Sequence, residues 1–399
     1  MQPDRNLLRP ALRIAMLTHS VNPRGGVVHA MELGDALQAA GHQVTLHAPD
    51  PSRRGLFRET RCAFAAVPGG AHDAGLTNMV RQRINDYINW FELADTPRYD
   101  IYHAQDTISA NALATLTERG VISGFLRTVH HLDQFDDSQH TAWQNEGFKS
   151  AARVLCVSKL WRDKLLDQYG IAADLAGNGV NIERYQPQAM PRDVALRIEL
   201  GLHTSHVFLA VGGIEPRKNT LGILQAFLCL QRVYPQAQLV IAGGASLLDH
   251  EAYRQEFNRV LQESGIAVGP GKSLMILGQV ADGDMPALFR CAYALVFPSL
   301  KEGFGLAVLE AMACGTPAVV SRIAPFTEYL QGDSCVWADP EDPASIAAGM
   351  AHACTPQSQL SLRAAGLAIS RNFSWSKIAN IHLDIYRAYL AHPLEISHA

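Results

Sequence analysis

Along the chain, short uninterrupted apolar runs of strand length alternate with longer stretches whose apolar residues recur at helical spacing. In the first half the runs are Leu12–Leu17, Gln43–His47, Cys62–Val67, Tyr99–His103, Phe125–Val129 and Val154–Val157. Most are continuous rather than strictly alternating, as expected of parallel strands covered on both faces. Between them Val27–Ala40 reads as a helix closed by Gly41. Thr77–Leu93 reads as another, with Ile84, Tyr87, Ile88 and Phe91 on one stripe. The alternation restarts with Val207–Val211, Leu239–Ile241, Leu274–Leu277, Ala294–Phe297, Ala318–Val320 and Val336–Ala338. Between the two sets, Asn178–Pro187 is a run of turn residues ending in proline and reads as a linker. The pattern predicts an α/β protein of two doubly wound parallel-sheet domains, 1–182 and 183–372. A tail, 373–399, holds a final helix near Trp375–Leu390 that is free to dock on either domain. Ligands of such sheets sit beyond the carboxyl ends of the strands, so two sheets facing through those ends predict one deep cleft.

Composition narrows the class. With 399 residues, 48% hydrophobic and 18% charged, the chain has material for more than one core. Its formal net charge of -4 leaves no electrostatic footprint for nucleic acid, so any anionic ligand must be caught by a few placed cations. The 7 cysteines are scattered without a CxxC and read as buried, reduced thiols. Asp4, Arg5 and Arg9 do not suit a signal peptide, and no run approaches the roughly 18 apolar residues of a spanning helix. A cytoplasmic protein is expected.

The sharpest stretch is Pro298–Pro317, which follows the run Ala294–Phe297 directly. Gly303 and Gly305 bracket a turn with free N–H groups, and Leu306–Cys314 then reads as a helix, together a ready anion site. Glu310 shares a stripe with Leu306, Ala313 and Cys314, where a carboxylate is costly unless it accepts hydrogen bonds, as from the paired hydroxyls of a sugar or ribose. Glu302 falls at the strand end and can face the same site. The plain alternatives are a helix glutamate paired with an arginine and a solvated loop glutamate. In Ala210–Asn219, Gly212 and Gly213 permit close backbone approach, and Arg217 with Lys218 is the usual cation pair for a diphosphate. Asn219 or Thr220 is expected to cap the next helix. An exposed basic turn is the alternative. In the first half, Gly25 and Gly26 form another glycine turn between strand and helix. His130 or His131 ends a strand as a general acid/base, a hydrogen-bond donor or a structural histidine. Asp282 and Asp284 match a DxD pattern, but Asp284 reads better as the N-cap of Met285–Cys291. His130, His131, Asp133, Asp136 and Asp137 lack the spacing of a dedicated metal site, so no metal is expected. GxGxxG, G-x-S-x-G and the P-loop are absent, which weakens dehydrogenase, hydrolase and P-loop readings.

Taken together these stretches resemble glycosyltransferase family 4, retaining nucleotide-sugar transferases of GT-B fold with two Rossmann-like domains. The family's E-x7-E element is similar to Glu302 through Glu310 in PSLKEGFGLAVLEAMACGTPAVVS. Its phosphate loop is similar to VGGIEPRKN, its linker to NGVNIERYQP, its acceptor-side loop to PRGG, and PFTEYL with Glu328 follows the usual run. The resemblance implies that Glu310 holds ribose hydroxyls and Glu302 those of the donated sugar. Backbone around Gly303, Phe304, Gly305 and Leu306 then contacts sugar and phosphate, while Gln279 and Val280 lie near the base. It also implies that Arg217 and Lys218, beside Gly212 and Gly213, neutralise the leaving diphosphate. His130 stands beside the reacting sugar, and Gly25 and Gly26 near diphosphate and acceptor. Many members carry arginine where this chain has Gly213, and glutamate where it has Arg217, as if the cation had moved four residues along. The implied co-substrate is a nucleotide-diphosphate sugar, with no cofactor and no metal. The implied mechanism is front-face attack with closure about the Asn178–Pro187 linker. Other enzymes of this fold, a phosphorylase or an epimerase, are the alternatives within catalysis. An inactive nucleotide-sugar-binding module is the alternative outside it, opposed by the joint presence of Glu302, Glu310, Lys218 and His130. The acceptor (small molecule, lipid or glycan) is unspecified, with its selectivity expected in loops 51–61 and 133–148. Arg53, Arg54 and Arg58 are too thin a cluster to argue for a membrane surface and read as a solvated loop.

Overall fold

The computed structural model describes residues 10–244 and 250–391; Asp4, Arg5, Arg9 and the tail after 391 lie outside the described residues. The chain divides into two units, one of residues 10–178 with 375–391 and one of 179–374. The first holds a sheet of β1 (Arg13–Leu17), β2 (Gln43–Pro49), β3 (Ala63–Val67), β4 (Ile101–Ala104), β5 (Leu126–Val129), β6 (Arg153–Cys156) and β7 (Asp174–Leu175). The second holds β8 (Val207–Val211), β9 (Gln238–Ala242), β10 (Leu274–Gly278), β11 (Ala294–Phe297), β12 (Ala318–Ser321) and β13 (Val336–Ala338). Every strand expected from the apolar runs is present to within two residues. The two-residue β7 is additional, being too short to leave a pattern.

All pairings are parallel, in the orders β3-β2-β1-β4-β5-β6-β7 and β10-β9-β8-β11-β12-β13. Each is the doubly wound arrangement, with helices on both faces. That explains the continuous apolar runs: Ile14, Ala15, Met16 and Leu17 of β1 are all fully buried. One face of the first sheet packs on Tyr87, Ile88 and Phe91 of the helix Leu76–Glu92. A face of the second packs on Ile223, Leu224 and Phe227 of the helix Thr220–Leu230. At β1/β4 and at β8/β11 the strand order reverses, so successive connections leave in opposite directions and open a crevice at the carboxyl ends.

The final helix, Trp375–Ala391, belongs to the first unit and covers a group of buried imidazoles. His103 pairs through Nδ1 with the Tyr386 hydroxyl and through Nε2 with Thr128 Oγ1, both at 2.7 Å. His382 Nδ1 donates to its own helix at Ile378 O (2.8 Å), and His29 Nδ1 meets Asn178 Oδ1 (3.1 Å). Ring centroids of His382 lie 5.8 Å from both His29 and His103. Burial pulls His29 down to about 3 and His382 to about 4, and takes His103 well below its ordinary value, with neighbouring charges adding to the effect on His29 and His103. Neutral in the fold, these rings take up protons on unfolding, so their contribution is full above about pH 6.5 and shrinks as the pH falls toward 4. Each such ring costs about 1.4 kcal/mol of stability per pH unit in that window. The thermal midpoint followed by circular dichroism is therefore expected to drop between pH 6.5 and 4, less steeply in His382→Leu. Equal slopes in the two proteins would show that this ring does not titrate on unfolding.

Candidate functional site

In the second unit the reversal of strand order brings the loop after β8 beside the loop after β11. Two hydrogen bonds lock them together: Leu300 N–H donates to Arg217 O (3.0 Å) and Asn219 Nδ2 to Pro298 O (3.2 Å). Asn219 also donates to Pro340 O (2.6 Å) and sits in the left-handed region at φ 58. Neither Asn219 nor Thr220 caps the following helix with its side chain, contrary to expectation. Asn219 is spent on the two prolyl carbonyls, and Thr220 Oγ1 donates to Gly213 O (3.0 Å) and receives Glu215 N–H. Asp284 likewise does not cap, because its carboxylate is taken by Arg192 at 2.7 Å.

This lock aims both cations at Glu302. Lys218 Nζ stands 2.6 Å from Glu302 Oε2, and Arg217 Nη1 3.1 Å from Oε1, with Gly303 N–H donating to Oε1 at 3.0 Å. Arg217 also pairs with Glu215 (3.0 Å), a residue the sequence reading passed over although it lies inside VGGIEPRKN. Lys218 Nζ lies 4.2 Å from the centre of the Phe297 ring, a cation–π contact. Burial alone would raise the Glu302 carboxyl; Lys218, Arg217 and the Gly303 amide overcome that and bring it down to about 2. Burial lowers Lys218 below its ordinary range despite Glu302. So Glu302 is an ionised counter-ion of the cation pair, not the solvated loop carboxylate of the alternative reading.

The glycines of these loops allow close packing. A methyl on Gly212 (φ 141) would stand 2.7 Å from Lys218 Cγ, so the missing side chain makes room for the lysine stem. A side chain at Gly213 would run into the carbonyl oxygen of Gly244, and Gly243 in turn abuts the Gly212 carbonyl. Their close approach is to each other and to Lys218. The Gly303 amide is not free, since Glu302 accepts from it. Among the described residues, no acceptor pairs with the N–H of Leu306 or Ala307 at the start of the helix Leu306–Ala313. Gly305 (φ 93) lies against Phe326, and Tyr329 donates to Phe304 O (3.1 Å) while stacking on the Phe304 ring at 4.9 Å. Glu310 is half-buried on the side of Leu306 and Ala307, while Val308, Leu309, Ala311, Met312 and Ala313 face the core. It is therefore not the carboxylate of an apolar face that its stripe suggested. Gln279 and Val280 follow β10, with Gln279 Cβ 3.5 Å from where a methyl on Gly244 would be.

In the first unit, loops after β1, β4 and β5 meet at the other reversal. His130 Nε2 lies 3.0 Å from Gln105 Oε1, and a methyl on Gly26 would touch the His130 ring at 3.4 Å. His29 packs edge-on behind His130 at 4.8 Å. Burial, then His29 and Arg127, hold His130 well below its ordinary range, so it is a neutral hydrogen-bonding ring. Gly25 is exposed with open space about it, and Gln105 went unnoticed in the sequence although it directly follows β4 at the reversal. His131 turns to Asp133 (3.1 Å), and Asp137 caps the helix Ser138–Lys149. Among the described residues no three His, Cys, Asp or Glu side chains converge on a metal position, and no helix is long and apolar enough to cross a membrane. The 7 cysteines are free thiols, six buried and Cys229 exposed.

Lys218→Met would leave Glu302 buried with one cation fewer, and a loss of about 3–5 kcal/mol is expected in urea denaturation. The Glu302 contribution is full above about pH 4.5 and lost as the pH falls toward 2, its folded value being depressed. Gly213→Arg is expected to lower the urea midpoint because its Cβ would meet the Gly244 carbonyl.

Two family models match the chain: Glycosyltransferase Family 4 over residues 23–184 and Glycosyl transferases group 1 over residues 195–364. O-antigen chain mannosyltransferase B of Escherichia coli is 30% identical over 250 residues, 61% of this chain and 62% of that protein. The chain thus spans less than two thirds of the length of this relative. Sucrose-phosphate synthase from Thermosynechococcus elongatus superposes with a TM-score of 0.76 at 20% identity, covering 95% of this chain and 99% of that one. Anabaena HepE, solved in complex with UDP and glucose, superposes with a TM-score of 0.75 at 16% identity, covering 94% and 100%. With Glu302 through Glu310 and the VGGIEPRKN loop joined at one sheet reversal, the chain belongs to glycosyltransferase family 4 and has the GT-B fold.

Proposed function

We propose that the chain is a retaining glycosyltransferase that moves a hexose from a nucleoside diphosphate to an acceptor hydroxyl. The observation that carries the reading is the pairing of Lys218 and Arg217 with the buried Glu302 beside the open amides of Leu306 and Ala307. Two cations and a helix start are suited to a diphosphate, and charge grows on that group as the glycosidic bond breaks. The donor diphosphate is assigned to Arg217, Lys218 and the helix start, and Glu310 to the ribose. Glu302 is assigned to the sugar hydroxyls while it keeps the cations in place. A hexosyl nucleotide donor is supported by the E. coli relative, a mannosyltransferase, and by HepE, bound to UDP and glucose. Fixed cations supply the charge that a divalent ion supplies in other transferases, and this reading routes no step through a metal. The leaving phosphate takes the acceptor proton as the hydroxyl attacks from the same face, which retains the anomeric configuration.

UDP-, GDP- and ADP-sugars screened by thermal shift are expected to single out one base, since a ligand of the native state raises the midpoint. With that donor, Lys218→Ala should lower kcat about a hundredfold, EDTA should leave it unchanged, and proton NMR should find product and donor of the same anomeric configuration. An inverted product, or full turnover in Lys218→Ala, would refute the assignment.

A further inference from the structure

Within the first unit, beyond the ends of β1 and β2, lies a cavity of ≈ 360 Å³ lined by His19, Pro51, Arg54, Leu56, Phe57 and Arg83 among others. Its walls carry two guanidinium groups and, among the described residues, no carboxylate. The nearby acids do not line it: Asp50 is held by its own loop, and Asp86 by its neighbours and one nitrogen of Arg83. Asp50 accepts from Ser52 Oγ (3.1 Å), Arg54 N–H (3.2 Å) and Gly55 N–H (2.8 Å), which folds the loop that presents Arg54. Asp86 accepts from Gly70 N–H (3.0 Å), Gln82 Nε2 (2.8 Å) and Arg83 Nη1 (2.6 Å).

Arg83 is the informative residue. It is only 8% exposed, yet only its Nη1 is engaged, by Asp86 and the Gly70 carbonyl. Among the described residues no hydrogen bond reaches its Nε or Nη2. Held at one nitrogen by Asp86, the guanidinium lines the cavity with hydrogen-bonding capacity left over for an anion. The Nε and Nη2 edge is the fork that meets two oxygens of a phosphate or carboxylate together. The surroundings are built to hold it: a methyl on Gly69 would stand 2.6 Å from Arg83 Nη1 and 3.1 Å from Pro51 Cβ. Arg54, exposed and with no ion pair among the described residues, stands on the same wall as a second cation. Leu56 and Phe57 add an apolar patch suited to the carbon face of a ring.

We propose that this cavity binds the acceptor and that the acceptor is a hydroxylated ring bearing a phosphate monoester or diester, gripped by Arg83 and Arg54. That the anion is an acceptor rests on the transferase reading above; that the cavity takes an anion does not. Mannose 6-phosphate and mannose serve as probes by calorimetry on the full chain. Mannose 6-phosphate is expected to bind at least about tenfold tighter than mannose, and the preference is expected to fall about tenfold in Arg54→Ala and in Arg83→Lys. The first change is at an exposed position, and the second keeps the charge while removing the fork. Equal binding of the two probes, or a preference unchanged in both variants, overturns the proposal. Sedimentation with phosphatidylglycerol but not phosphatidylcholine vesicles, competed by mannose 6-phosphate, would place the phosphate in a lipid headgroup. Binding of the soluble probe without sedimentation would make it a free acceptor; both outcomes support the site. Donor nucleotide sugar is expected to bind both variants as it binds wild type. If no donor binds wild type while the phosphate preference stands, the transferase reading falls and the anion site survives; the reverse result removes the anion site alone.

Discussion

A carboxylate withdrawn from water has to be met by positive charge and hydrogen bonds, and Glu302 meets that requirement through Lys218, Arg217 and its neighbouring amide. The loop after β8 cannot move without stripping Glu302 of its partners, and the loop after β11 cannot move without leaving Lys218 buried among apolar groups such as Phe297. Other details of the second unit accommodate this contact. Gly212 clears the path of the lysine stem, Gly213 and Gly243 let the adjacent loops touch, and Asn219 gives up capping to tie the loops together.

The placement of that contact follows from chain topology. Parallel strands need crossover helices, and a reversal of winding direction leaves the two central connections diverging. Both sheets reverse between their first and fourth strands, and in both the chemistry-bearing loops leave those strands. In the second unit the reversal collects two cations and a carboxylate. In the first it collects a glycine turn, a glutamine and a neutral histidine backed by further buried imidazoles. The same architecture therefore yields a charged site in one unit and a hydrogen-bonding site in the other. The difference lies only in which side chains end the strands.

How an arginine is used depends on what its surroundings leave unmet. Arg290 is saturated by Asp193 and the Gln186 carbonyl, and Arg192 by Asp284 and Glu199. Arg83 is held at one nitrogen and open at two others. Nothing in the helical pattern of Leu76–Glu92 distinguishes it from a surface cation; its stripe position simply places it beside Asp86. The distinction appears only once Gly69, Pro51 and the β2 loop are folded around it.

The amino-acid order by itself determined the alternation of buried strands and helices, and so the two parallel sheets, because hydrophobic periodicity is a local property of the chain. It also marked Lys218, Arg217, Glu302 and His130 as polar groups in the loops that follow strands, since glycine turns and isolated charges in apolar runs stand out locally. Glu215, Gln105 and Arg83 escaped because each acquires its role from partners 2 to 25 positions away in ways no local pattern encodes. The expected free amide at Gly303, the caps at Asn219 and Asp284, and the buried face for Glu310 were likewise local inferences. Tertiary structure overruled them because a hydrogen-bonding group goes to whichever partner the fold brings closest, and that competition is settled only when distant segments meet.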